Sequence, residues 1–82
     1  GPEAGSIDNI ISRIVPGQNL SDALVKANAQ MIMIDQHYAA EPKVAEFMRS
    51  APKDGWKLLS SRDTGTKQLW LYFRPYCALG TN

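Results

Sequence analysis

The chain has 82 residues, 44% hydrophobic and 21% charged, which suits one small globular domain and excludes a globally disordered chain. Nine basic against eight acidic residues leave a net charge of +1, so no general cation excess exists to hold nucleic acid or an anionic membrane. A single cysteine, Cys77, excludes an internal disulfide and a CxxC metal knuckle and fits a reducing, cytoplasmic setting; no apolar run reaches the ~20 residues of a membrane span.

In chain order, Gly1-Pro2-Glu3-Ala4-Gly5 reads as the remnant of a cleaved tag and linker. Ile7, Ile10, Ile11 and Ile14 then recur at helical spacing. Ser6 is the expected cap of this first helix, Asp8 suits its positive end, and Pro16-Gly17 ends it. A second helix is expected from Ser21 to His37, capped by Asn19 or Ser21, with Leu20, Leu24, Ala27, Met31, Ile34 and Tyr38 as its apolar seam. The compact Met31-Ile32-Met33-Ile34 run also permits a split, with the helix ending near Asn28 and a short strand over Met31–Asp35. Segment length favours the single helix. Glu41-Pro42 opens a third helix, because proline suits the first helical position. Its buried stripe is Val44, Phe47, Met48 and Ala51, and Pro52 stops it.

Gly55–Pro75 carries the strong sheet signal, two apolar runs around Asp63-Thr64-Gly65-Thr66. Pairing Arg62 with Lys67 gives a core face of Trp56, Leu58, Leu69, Leu71 and Phe73. The outer face is then Lys57, Leu59, Gln68, Trp70, Tyr72 and Arg74. A glycine bulge would shift the pairing by one residue and put Trp56, Leu58, Trp70 and Tyr72 together. The first register separates the faces better. The expected fold is therefore α+β: three helices on a C-terminal two-stranded antiparallel hairpin, in winged-helix-like order, with residues 6–75 as one domain and 76–82 as a tail.

On that register Lys57, Leu59, Trp70, Tyr72 and Arg74 form an exposed aromatic patch with a cationic rim, suited to a protein partner or a second copy. The alternative is a winged-helix nucleic-acid binder, with helix 41–51 in a groove, a wing at 62–67, and Lys43, Arg49, Arg62 and Lys67 as its footprint. Glu41 and Glu46 on the same helix face would oppose phosphates. No serine sits in a GxSxG elbow, and Cys77 has no activating base in view.

Asp35-Gln36-His37-Tyr38, followed by Glu41 and Glu46, resembles the DQHA-x2-E-x4-E metal-binding motif of MutL-type mismatch-repair endonucleases. That resemblance implies Asp35, His37, Glu41 and Glu46 as metal-site positions. Tyr38 departs from the motif's alanine, Pro42 is unusual after its first glutamate, and the family's later cysteine-histidine motif has no counterpart here. The match covers only twelve residues, so no metal or other cofactor is expected. The function expected is a non-enzymatic protein-interaction or adaptor module, one domain of a larger protein.

Overall fold

The computed structural model describes residues 7–75. The expected Ser6 cap, the 1–5 remnant and the 76–82 tail lie outside them. In chain order the elements are α1 (Ile7–Ser12), α2 (Leu20–Lys26), β1 (Met31–Asp35), α3 (Gln36–Ala39), α4 (Pro42–Ser50), a 3-10 turn (Ala51–Asp54), β2 (Lys57–Asp63) and β3 (Gln68–Phe73). The strands form an antiparallel sheet in the order β1-β3-β2. The class is α+β, and the described residues hold four α-helices and three strands in place of the expected three and two.

The continuous helix over Ser21–His37 does not form. Asn28 takes a left-handed conformation, φ 61, one residue beyond the α2 cap Ala27. The N–H groups of Asn28 and Ala29 then turn back to the carbonyls of Val25 and Leu24, both at 2.9 Å, which satisfies two otherwise orphaned helix-end acceptors. Asparagine tolerates this conformation better than other non-glycine residues, so the chain leaves the helix there. Beyond it the burial period changes to two: Met31 and Met33 are exposed, while Ile32 and Ile34 are buried.

Each later helix is started by a side chain that the sequence places one residue before it. Asn19 accepts from the Asp22 N–H at 2.8 Å to open α2. Asp35 accepts from the His37 and Tyr38 N–H groups to open α3, and Glu41 does the same for Lys43 and Val44 ahead of Pro42. The core under the sheet is Leu20 and Leu24 of α2, Ile32 and Ile34 of β1, Val44 and Phe47 of α4, and Ala51, Trp56 and Tyr72. Ile7, Ile10 and Ile11 of α1 and Ile14 beyond it pack against its margin, but the helix ends at Ser12, ahead of the Pro16-Gly17 stop expected. Trp56 is buried to 2% exposure, and its indole N–H donates to Ser21 Oγ at 3.1 Å, so its polar atom is satisfied inside.

The hairpin is the second correction. Its tip is a Gly65-Thr66 connection, with the Thr64 N–H donating to Lys67 O at 2.9 Å and Gly65 at φ 92. Arg62 therefore pairs with Leu69, not Lys67, and an inserted Leu59 shifts the register again before Leu58 meets Tyr72. Leu69, Leu71 and Phe73 consequently lie on the side away from the core. Tyr72 and Arg74, expected outside, are each only 6% exposed, and Trp70 is half-buried against the core. Of the expected core face only Trp56 is buried, while Leu58 stands half-exposed at the sheet margin. The cause is β1. It pairs along β3 and sets Ile34 beside Trp70 and Ile32 beside Tyr72, which makes that side the one the helices cover.

Replacing Asn28 by Val should cost about 1–2 kcal/mol in urea denaturation, because a β-branched residue is strained at positive φ. Asn28→Gly should leave stability within a few tenths of a kcal/mol.

Candidate functional site

The helices occupy one side of the sheet, and the other side is apolar as well. Alternation along β3 sends Leu69, Leu71 and Phe73 outward. Pairing places Met33 and Met31 beside Leu71 and Phe73 on one flank, and Arg62, Ser60 and Lys57 beside Leu69, Leu71 and Phe73 on the other. An antiparallel sheet commonly packs one face and leaves a polar face to water, whereas both faces of β3 carry large apolar side chains. Here the described residues cover only one. Met31, Met33 and Leu59 are 52%, 59% and 54% exposed. A shallow depression of about 200 Å³ opens on this face, lined by Met33, Ser60, Arg62, Leu69, Trp70 and Leu71. Its charge is lopsided. Lys57 and Arg62 stand exposed along the β2 flank, whereas Asp35 at the β1 end already meets Lys67 at 3.8 Å.

The five residues expected to bind are divided by this geometry. Lys57 and Leu59 are exposed. Trp70 contributes to the wall of the outer depression while packing against the core, and Tyr72 and Arg74 are interior. The Arg74 guanidinium lies 5.7 Å above the Trp56 ring, and its backbone N–H donates to Gln30 O at 2.8 Å. Its Nε has no hydrogen-bond partner among the described residues, and the indole face is a favourable contact for its charge. Met31, Met33, Leu71 and Phe73 were not expected at the site. Their signal was the doubly apolar Leu-Trp-Leu-Tyr-Phe run, read together with Met-Ile-Met-Ile.

The cations of the nucleic-acid footprint are partly engaged. Lys43 Nζ donates to Gln18 O at 2.9 Å, and Lys67 faces Asp35. Arg49 and Arg62 are exposed. The motif-like acids have structural work instead: Asp35 and Glu41 cap helices, while His37 stacks edge-on against Tyr38 at 4.9 Å. Among the described residues no group of three or more His, Cys, Asp or Glu side chains could hold a metal ion. Two of the four motif-like positions, Asp35 and Glu41, are thus engaged as helix caps.

Comparison with protein-family models, curated proteins and solved structures finds no match. No helix among the described residues is long and apolar enough to cross a membrane.

Burial holds the Tyr72 hydroxyl above its ordinary pKa of 10.0, because desolvation disfavours the phenolate. Above pH 10 the unfolded chain loses this proton before the folded one does, so stability should fall as pH rises from there. Tyr72→Phe should flatten that alkaline decline in urea midpoints measured between about pH 9 and 11; an unchanged slope would show that other groups cause it.

Proposed function

We propose that this domain is a non-enzymatic protein-interaction module, an adaptor unit of a larger cytoplasmic protein, and that its contact surface is the outer face of the sheet. One observation carries the reading: Met31, Met33, Leu69, Leu71 and Phe73 share the face opposite the helices, with Met31 and Met33 exposed and Leu69, Leu71 and Phe73 partly so. A contiguous apolar strip of this kind marks an interaction surface on a small domain. The exposed Lys57 and Arg62 along one flank favour a partner that brings an apolar ridge with acidic residues beside it. An amphipathic helix meets that description. The lone cysteine supports the reducing compartment.

A designed leucine-faced peptide helix flanked by glutamates should bind at least tenfold more tightly than the same helix flanked by lysines, by fluorescence anisotropy. Leu71→Lys should abolish that binding while leaving the far-ultraviolet circular dichroism unchanged. Binding of neither peptide, or equal binding by the variant, would refute the surface.

A winged-helix nucleic-acid reading is the alternative. In its favour, only Ala40 and Glu41 separate α3 from α4, and the hairpin follows in the expected order with Arg49 and Arg62 exposed. It predicts duplex binding that weakens steeply with salt. No shift with any duplex at low ionic strength would dismiss it.

A further inference from the structure

The two edges of the sheet are built differently. On β2 the edge is interrupted by the inserted Leu59 and carries Lys57, Arg62 and Asp63, devices that discourage a foreign strand. On β1 the pairing is regular over its five residues, and Met31-Ile32-Met33-Ile34 has no charge, proline or bulge. The only charge is Asp35, at its last position.

The hydrogen-bond phase shows what that edge offers. The Arg74 N–H donates to Gln30 O, which makes Gln30–Arg74 a hydrogen-bonded pair of the β1–β3 ladder. In an antiparallel ladder such pairs alternate, so Ile32 and Ile34 address Tyr72 and Trp70, while Met31, Met33 and Asp35 turn their backbone groups outward. Outside the strand ladder, no hydrogen bond among the described residues uses the Met31 or Met33 N–H.

We propose that this edge pairs with the β1 edge of a second copy of the chain, antiparallel, about a two-fold axis at Met33. The strand is suited to that symmetry because Ile32-Met33-Ile34 reads the same in both directions. The axis sets Ile32 beside Ile34 of the second copy on the helix side and Met33 beside Met33 of the second copy on the outer side. The Met33 N–H of each copy then donates to the Met33 carbonyl of the other, and each Asp35 N–H donates to Met31 O. Charge fits the same register. The two Asp35 carboxylates fall at opposite ends, four residues or roughly 14 Å apart along the strand, whereas a parallel pairing in register would set them about 5 Å apart. The product is a six-stranded sheet. The pairing rests on β1 backbone geometry and stands whether or not the outer face has a partner.

The test is sedimentation equilibrium of the whole chain over a concentration series. The unaltered chain should dimerise. Met33→Lys and Met33→Glu should each weaken dimerisation about tenfold, by setting like charges across the axis. Mixing the two variants should restore dimers containing one of each. Met33 is 59% exposed, so both variants should fold, as Trp56 emission can verify. A monomer at every concentration would overturn the proposal, as would a dimer indifferent to both substitutions or a mixture no tighter than either variant alone.

Discussion

Phe47 of α4 meets the rings of Trp56 and Tyr72 edge-on, with centroids 5.4 and 5.3 Å away. These three residues come from a helix, from the approach to β2 and from near the end of β3, so one junction ties α4 to both arms of the hairpin. Edge-to-face pairs add about 0.5–1.5 kcal/mol each beyond the area they bury. Truncating a buried phenylalanine costs about 3–5 kcal/mol, a large share of the roughly 5–15 kcal/mol that holds a domain folded. Ser21 extends the junction to α2 by accepting the Trp56 indole proton. Arg74 closes it from above, its charge lying over the same indole.

This junction locks in the orientation that β1 pairing gives the sheet. Once Tyr72 points toward Phe47, strand alternation sends Leu71 and Phe73 to the opposite side. The outer apolar face therefore follows from how the inner one is packed. Leu59 reconciles the two arms. The inserted residue lets β2 follow the tip register near Arg62 and still bring Leu58 opposite Tyr72 at the base. β1 completes the sheet by presenting Ile32 and Ile34 inward, which leaves Met31 and Met33 to extend the outer strip.

Local signals were legible wherever one residue sets the outcome. Asn19 and Glu41-Pro42 announce helix starts, the α1 isoleucine stripe announces its buried side, and Gly65 announces the hairpin tip. The strand at Met31–Asp35 was legible only as an alternative, because apolar runs of this length fit either period; Asn28 was the deciding residue, and its left-handed turn depends on context. The hairpin faces were harder still. The more polar side of β3, with Gln68 and then Arg74 in line with Trp70 and Tyr72, is the one that faces the core, so polarity marks the wrong side as outside. Choosing the tidier separation of Leu69, Leu71 and Phe73 from Trp70, Tyr72 and Arg74 gave the candidate patch an inverted orientation. Hydrophobic patterning could not reveal that Arg74 is buried, since its place over Trp56 arises from tertiary packing.

The central claim is that Met31–Asp35 is a strand paired with β3, because the inversion of the hairpin and the outer face both follow from it. The most direct measurement is a nuclear Overhauser spectrum of the labelled chain. In a non-hydrogen-bonded antiparallel pair the Cα atoms approach to about 4.5 Å, so a strong contact is expected between the α-protons of Met33 and Leu71, with another between those of Met31 and Phe73. Strong sequential amide contacts from Met31 to Asp35, with no α-proton contact to Leu71, would show a helix there and contradict the account.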